Sequence, residues 1–353
     1  MRITSIVGAR PQFIKAAPLL RELAHTHAST LIHTGQHYDP MMSDVFFDEL
    51  DLPAPDHHLG VGSGRHGAQT AAMLERIDPI LADGRPDWVV VFGDTNSTLA
   101  GALAASKRRL KLAHVEAGLR SFNRGMPEEI NRVIADHVSD LRLCPSEGAA
   151  RNLNREGVRT GVHIVGDLMA ESLASSIDRA KERSMVLDRF GVRPREYLLL
   201  TMHRAGTADD SAAVARVIDA AASGGEAVVF PVHPRTRQTL DGARVASNVR
   251  LVEPVGYLDM LQLQASARMV LTDSGGVQKE SYWLGTPCIT LRDETEWPET
   301  VDAGWNCLVG TDGRRIEQAI STFKPSSSRP EVYAGDRVAR RIVEILERDG
   351  APL

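Results

Sequence analysis

Short apolar runs alternate with longer stretches of helical periodicity along most of the chain. Ile3–Val7, Trp88–Phe92, Leu112–Val115, Leu141–Cys144 and Val162–Val165 are short, mostly apolar runs, and they predict strands. A second series repeats the pattern at Tyr197–Met202, Ala227–Val232, Val249–Val252, Met269–Thr272 and Cys288–Leu291. Between the runs, Phe13–Ala24, Thr98–Arg108 and Ala212–Ala222 carry apolar residues near i, i+3, i+4 and i+7 and predict helices. Strands that are apolar throughout and separated by helices imply parallel sheets covered on both faces. The expected fold class is therefore α/β, with two Rossmann-like doubly wound domains. Polar and charged residues rise between about Gly166 and Arg195, which places the boundary there. The expected division is 1–170 for the first domain, 171–335 for the second, and a last helix within 336–353.

Composition narrows the partners. The chain has 353 residues, 41 Lys and Arg against 46 Asp and Glu, and a net charge of -5, which argues against nucleic acid as the main partner. Aromatic residues make up 5%, too few for a base-stacking platform. The cysteines are Cys144, Cys288 and Cys307, odd in number and far apart, so neither a disulfide framework nor a CxxC metal site is expected. The apolar start is too short for a signal segment, and no run of about 18 apolar residues would span a membrane. The expectation is a cytoplasmic protein with reduced thiols.

Ligands of open parallel sheets bind outside the carboxyl ends of strands. The residues after each apolar run are accordingly the informative ones. They are Gly8-Ala9-Arg10-Pro11, Gly93-Asp94-Thr95, Glu116-Ala117-Gly118, His203-Arg204, His233-Pro234 and Asp273-Ser274-Gly275-Gly276. Two such domains facing each other would point these segments into one interdomain cleft. Ser274-Gly275-Gly276 opens a helix whose N–H groups suit a phosphate, and Glu280, about one turn on, suits ribose hydroxyls. An ordinary strand–helix turn explains the glycines equally well. Arg10 lies in a strand-to-helix loop, where it is free to pair with phosphate oxygens, whereas Lys15 taken alone reads as a surface residue. Asp94 and Glu116 follow adjacent-looking strands and form a candidate acid and base. Glu128 and Arg132, at i and i+4, share a helix face. Pro127-Glu128-Glu129 otherwise reads as helix N-terminal decoration. His203 and His233 both follow strands of the second series. The Ser274-Gly275-Gly276 loop is neither a Walker loop nor a GxGxxG, His203 and His233 fit no metal motif, and no GxSxG elbow is present. These residues alone leave nucleotide-sugar transfer, phosphorolysis and epimerisation open.

Taken together, the motifs resemble the non-hydrolysing UDP-N-acetylglucosamine 2-epimerases. The resemblance runs through Gly8-Ala9-Arg10-Pro11-Gln12-Phe13-Ile14-Lys15, Gly93-Asp94-Thr95, His114-Val115-Glu116-Ala117-Gly118-Leu119-Arg120 and Met126-Pro127-Glu128-Glu129-Ile130-Asn131-Arg132. It continues through His203-Arg204, Pro231-Val232-His233-Pro234, Thr272-Asp273-Ser274-Gly275-Gly276-Val277-Gln278-Lys279-Glu280 and Leu291-Arg292-Asp293-Glu294-Thr295-Glu296. It covers nearly the whole chain in order. It implies a glycosyltransferase-B-type fold with the last helix crossing back to the first domain. It also implies interconversion of UDP-GlcNAc and UDP-ManNAc through departure of UDP to a bound glycal, with no metal or other cofactor. The implied catalytic residues are Asp94, Glu116, Glu128, His203, Arg132 and Lys15. The implied UDP-binding residues are Arg10, His233, Tyr257, Ser274, Gly275, Gly276, Glu280 and Arg292. A homodimer feeding polysaccharide synthesis is the implied setting.

Two features depart from that pattern. His203-Arg204 is followed by Ala205-Gly206 where the family often has Glu-Asn, with Asp209 or Asp210 as replacement carboxylates. Gln36 and His37 match a regulatory segment of bacterial members, but Met73 stands where an Arg is expected, so activation by a second UDP-GlcNAc is expected to be weak or absent. Ser121-Phe122-Asn123-Arg124 and Glu294-Thr295-Glu296-Trp297 also resemble the branch acting on UDP-2,3-diacetamido-2,3-dideoxyglucuronate. The C6 carboxylate of that sugar would want a cation such as Arg124 or Arg292. A transferase of the same fold, a silent UDP-sugar binder and a hydrolysing epimerase are the readings of other classes.

Overall fold

The apolar runs build two wholly parallel sheets in a computed structural model that describes residues 1–36, 40–204, 209–240, 245–333 and 337–350. The first sheet contains β1 (Arg2–Val7), β2 (Ala28–His33), β3 (His57–His58), β4 (Trp88–Phe92), β5 (Leu112–Val115), β6 (Leu141–Cys144) and β7 (Val162–Ile164). Its order is β3-β2-β1-β4-β5-β6-β7. The second contains β8 (Tyr197–Thr201), β9 (Ala227–Pro231), β10 (Val249–Val252), β11 (Met269–Thr272), β12 (Cys288–Thr290) and β13 (Asn306–Leu308), in the order β10-β9-β8-β11-β12-β13. Each is doubly wound, and the strand order reverses beside β1 and β4 in one sheet and β8 and β11 in the other. Those are the points where such sheets take ligands.

The helices, in chain order, are α1 (Arg10–Ala24), α2 (Pro40–Glu49), α3 (His66–Gly84), α4 (Asn96–Lys107), α5 (Pro127–Val138), α6 (Glu147–Arg155), α7 (Leu168–Arg183) and α8 (Val186–Phe190). They continue with α9 (Ser211–Ala222), α10 (Pro234–Leu240), α11 (Tyr257–Ser266), α12 (Gly275–Leu284), α13 (Pro298–Asp302), α14 (Gly313–Thr322) and α15 (Val338–Gly350).

The chain forms two compact units, Met1–Ala174 with Tyr333–Leu353, and Ser175–Val332. The division falls inside α7. In the first unit, Ile6, Ile32, Val89 and Val91 of the sheet pack against Met73, Ile77 and Leu81 of α3 and the alanines of α4. In the second, Leu198, Leu200, Phe230, Leu271 and Ile289 meet Val214, Val217 and Ile218 of α9 and Ile316 of α14. The C-terminal α15 belongs to the first unit. It buries Val338, Ala339, Ile342, Val343 and Leu346, and Trp88 donates from Nε1 to its Leu346 carbonyl at 3.1 Å.

One local conflict inside α1 is resolved by α7. Pro18 sits in the helix interior and has no N–H to offer the carbonyl four residues earlier. That carbonyl belongs to Ile14, and the buried Ser172 hydroxyl donates to it instead.

Three strands, β2, β3 and β13, lie outside the predicted runs. The first half of β2 is Ala-Ser-Thr and partly exposed, β3 is two exposed histidines at the sheet edge, and β13 is three residues beginning with Asn306. None carries the continuous apolar pattern that marks a central parallel strand. His37 and Ala205-Gly206, both singled out in the sequence, lie outside the described residues.

Candidate active site

At the carboxyl end of the first sheet the turn after β1 is held by Gln12. Its Oε1 accepts from the N–H groups of Gly8 and Ala9 at 2.7 and 3.1 Å, and its Nε2 donates to the Phe92 carbonyl at 2.7 Å. Gln12 thereby ties the ends of β1 and β4 together. Arg10, on the first turn of α1, lays its guanidinium over the Phe46 ring at 5.6 Å. Lys15 is not the surface residue its spacing suggested. It is buried one turn further along α1 and pairs with the Glu116 carboxylate.

Glu116 follows β5 in the left-handed region, with φ of 67°. A non-glycine residue there is uncommon and costs conformational energy. Across from it, Gly93 also has positive φ, 62°, and a Cβ at that position would lie 3.1 Å from Glu116 Oε2 and 3.2 Å from Lys15 Nζ. The glycine lets the buried ion pair rest against the backbone that leads directly into Asp94.

Asp94 is clamped by Arg132, whose Nε and Nη2 donate to Oδ2 at 3.0 and 2.7 Å. The third guanidinium nitrogen, Nη1, donates to Glu129 at 2.6 Å. Arg132 therefore pairs with Glu129 and Asp94, where its i, i+4 spacing had suggested Glu128. The two acids at the start of α5 have different surroundings. Glu129 is buried and also accepts from Ser121 N, Ser121 Oγ and Phe122 N at 3.0, 3.0 and 2.9 Å, so it is structural rather than decorative. Glu128 is half-buried, and its carboxylate makes no hydrogen bond or ion pair to the described residues. Asn131 adds a bond from Nδ2 to the Asp94 carbonyl at 2.9 Å. Asp94, Glu116 and Glu128 thus lie on turns cross-linked by Arg132 and Lys15.

Behind these turns lies a cluster that spacing did not reveal. His114 of β5, Asp136 of α5 and Arg120 are all buried. His114 Nδ1 and Arg120 Nη1 each lie 2.7 Å from an Asp136 oxygen. Burial pushes the Asp136 carboxyl up, but His114 and Arg120 together outweigh it and hold it below the ordinary carboxylate value. The available signal was a polar residue inside an apolar strand, since such a group needs a partner when buried.

The second sheet presents a different kind of edge. Ser274 caps α12, and its Oγ accepts from Val277 N at 3.5 Å while its own N–H donates to Thr272 Oγ1 at 2.9 Å. The N–H groups of Gly275 and Gly276 donate to none of the described residues, which leaves two first-turn donors for an anion. A Cβ at Gly275 would sit 3.0 Å from Trp297 Nε1, tighter than Cβ contacts ordinarily come. Trp297 in turn covers the buried Lys279 ammonium at 3.8 Å from its ring centroid.

His203 stands beside this helix start. Its Nδ1 lies 3.2 Å from Asp273 Oδ1, and Asp273 also accepts from the backbone of His203 and of Arg204 at 3.0 and 2.9 Å. Burial pushes the Asp273 carboxyl up, but His203 and these N–H groups outweigh it and hold it below its ordinary value. His233 lies near, with ring centroids 5.8 Å apart.

Glu280 is buried and takes a hydrogen bond from Gln264 Nε2 at 2.8 Å. Tyr257 is buried at the start of α11. Arg292, expected near the nucleotide or a sugar carboxylate, is buried and bound through two nitrogens to both oxygens of Glu296 at 2.9 Å. Of the replacement carboxylates, Asp210 is occupied as the N-cap of α9, accepting from Ala212 N and Ala213 N at 2.9 and 3.1 Å. In the first unit, Gln36 Oε1 accepts from Ser97 N and Oγ at 3.2 and 2.7 Å, and Met73 is fully buried.

Among the described residues, no three His, Cys, Asp or Glu side chains are grouped to hold a metal ion, and no helix is long and apolar enough to cross a membrane. The three cysteines are free, and burial pushes the Cys144 thiol up to about 12.

The family model described as UDP-N-acetylglucosamine 2-epimerase matches residues 21–347. A protein named UDP-N-acetylglucosamine 2-epimerase homolog from Methanococcus maripaludis is 48% identical over 98% of this chain and 99% of its own. The UDP-2,3-diacetamido-2,3-dideoxy-D-glucuronate 2-epimerase of Pseudomonas aeruginosa is 42% identical over 99% of this chain and 100% of its own. The crystal structure of Methanocaldococcus jannaschii UDP-GlcNAc 2-epimerase with UDP-GlcNAc and UDP superposes with a TM-score of 0.94 at 41% identity, over 99% of this chain and all of that one.

Proposed function

The chain belongs to the UDP-N-acetylglucosamine 2-epimerase family, and from that premise we propose that it inverts C2 of a UDP-N-acetyl sugar, UDP-GlcNAc to UDP-ManNAc, without hydrolysis. The observation that carries the reading is the set of carboxylates after β4 and β5 and on α5, two of them, Asp94 and Glu116, each held by a buried cation. The C2 hydrogen is barely acidic, so its removal is coupled to departure of UDP. The C2–H pair becomes the C1=C2 bond of a glycal, and the C1–O bond pair leaves with UDP. In the return step a diphosphate oxygen adds to C1 and a proton is delivered to C2 from the other face. Asp94, Glu116 and Glu128 are the groups assigned to these proton transfers, with Arg132 holding Asp94 and Lys15 holding Glu116 in place. Arg10, His203, His233 and the N–H groups of Gly275 and Gly276, capped by Ser274, are assigned to the diphosphate, where they stabilise the leaving group. Glu280 is assigned to the ribose, with Tyr257 and Arg292 lining the nucleotide pocket.

A second substrate, the UDP-diacetamido uronate, is favoured by the 42% identity to the Pseudomonas aeruginosa relative. With Arg292 matched by Glu296, the cation assigned to its C6 carboxylate is the exposed Arg124. The reading further includes a homodimer in the cytoplasm that supplies an amino sugar for polysaccharide. It also includes weak or absent activation by a second UDP-GlcNAc, since Met73 fills the position of the expected Arg. A sigmoidal rate curve abolished by altering Gln36 would refute that last point.

The test is incubation of the purified protein with UDP-GlcNAc, without metal or acceptor, and separation of products by anion exchange. UDP-ManNAc with no free UDP is the expected outcome. Free UDP with ManNAc indicates a hydrolysing enzyme. Turnover of the diacetamido uronate alone moves the assignment to the second substrate. Inertness toward both sugars without an acceptor favours a transferase.

A further inference from the structure

The proposed mechanism leaves the buried imidazole of His114 unused. His114 lies on β5 two residues before Glu116, with no accessible side-chain surface. Its Nε2 is 2.7 Å from the Gly93 carbonyl oxygen and its Nδ1 is 2.7 Å from Asp136 Oδ1. A carbonyl only accepts, so Nε2 carries hydrogen. Facing a carboxylate, Nδ1 donates as well. Asp136 is itself fixed from three sides, by His114, by Arg120 and by the Gly118 N–H at 3.1 Å, and Arg120 continues to both oxygens of Glu156 at 2.7 Å.

Gly93 is the point on which this network acts. Its N–H donates to the Val115 carbonyl at 3.0 Å and its carbonyl receives His114, so the peptide groups on both sides of its left-handed Cα are pinned to β5. The same Cα underlies the Lys15–Glu116 pair, and the next residue is Asp94. The other end of the network is α5, where Glu129, Arg132 and Asp136 lie along one face. Arg132 holds the Asp94 carboxylate, while Asp136 acts through His114 on the backbone that carries Asp94.

We propose that His114 is a positioning residue for the C2 proton transfers: its Nε2–H fixes the Gly93–Asp94 turn against the Lys15–Glu116 pair, and Asp136 holds the ring for that task. The proposal rests on the epimerase reading above. A misplacement of about 1 Å at reacting groups costs on the order of a hundredfold in rate, so the effect belongs in kcat, while the assigned UDP-binding groups other than Arg10 lie on the other sheet.

Asparagine and glutamine separate the two bonds of the ring. An asparagine amide reaches the Nδ1 position and keeps Asp136, whereas a glutamine amide reaches the Nε2 position and keeps the Gly93 carbonyl. The experiment compares the full chain with His114→Asn and His114→Gln. It measures kcat and KM for whichever UDP-sugar the wild type turns over, UDP affinity by calorimetry, and melting temperature. His114→Asn is expected to lose about a hundredfold in kcat, with UDP affinity within about twofold of wild type, and His114→Gln is expected to recover to within about tenfold. Equal activity of the two variants overturns the proposal, as does a loss confined to KM or one that simply follows melting temperature. Should the asparagine variant fail to fold, His114→Leu, which has no donor, replaces it in the contrast with glutamine and is read by the same criteria. A wild type that turns over neither UDP-GlcNAc nor the diacetamido uronate refutes the activity itself, and with it a role for His114 in that reaction.

Discussion

Apart from the additional β7 of the first, the two sheets have the same strand order, yet their carboxyl edges are built from opposite materials. The edge of the first is made of side-chain charges in pairs, Lys15 with Glu116 and Arg132 with Asp94 and Glu129. The edge of the second is made of backbone, with two open N–H groups at the start of α12 and a histidine steadied by the buried Asp273. The difference follows from what each is assigned to do. A diphosphate keeps its charge throughout binding, and fixed dipoles at a helix start suit it without proton exchange. Moving a proton on and off carbon needs groups that change protonation state, and such groups need neighbours that set that state. A shared topology therefore says where each edge acts, and the local chemistry says how.

The sharpest way to break this contrast is to disable one edge and watch the other. Glu116→Gln and Asp94→Asn are expected to lower kcat by about a thousandfold, within the range for removal of an acid or base, while UDP binding measured by calorimetry stays within a few-fold. Gly275→Val should do the reverse. Its Cβ meets Trp297 Nε1 at 3.0 Å and its branched methyl groups crowd the helix start, so UDP affinity is expected to fall more than about tenfold, a change of about 1.4 kcal/mol or more. Intact affinity in that variant would take the diphosphate away from the helix start.

Smaller effects sharpen the comparison through stability. Asp273→Asn weakens a buried acceptor of the His203 and Arg204 N–H groups and should cost about 1–3 kcal/mol. Because the folded carboxyl is held below 3.8, its contribution is complete at neutral pH and is lost as pH falls through the folded value. Urea unfolding should show the full gap between wild type and variant at pH 7, closing below pH 3.8. A gap that widened in acid would have the sign wrong. Ser172→Ala leaves the Ile14 carbonyl above Pro18 unmet. It should cost about 1–3 kcal/mol in the same assay, with little change in UDP affinity.

The division between the edges was largely legible in the residues that follow each apolar run. Gly93-Asp94, Glu116, His203 and Ser274-Gly275-Gly276 all stand at strand ends, where topology alone makes them informative. What spacing could not supply was partnership. Lys15 reads as a surface lysine until β5 brings Glu116 beside it, a contact across a hundred residues of chain. Glu128 and Glu129 are adjacent in sequence and alike in type. Only the packing of α5 sends one inward to Arg132 and leaves the other half-exposed. The i, i+4 rule named the wrong partner for Arg132 because the tertiary partner, Asp94, offers a two-nitrogen contact that a neighbour on the same helix does not. His114 and Asp273 were hidden for the same reason: a buried polar residue announces that it has a partner, but not which one.

The central claim is that the carboxylates of the first sheet remove and return the C2 proton. The most direct measurement is proton NMR of UDP-GlcNAc and its epimer during turnover in deuterated water. The account predicts that the epimer forms with deuterium at C2. Formation of the epimer with its original hydrogen retained at C2 would contradict it.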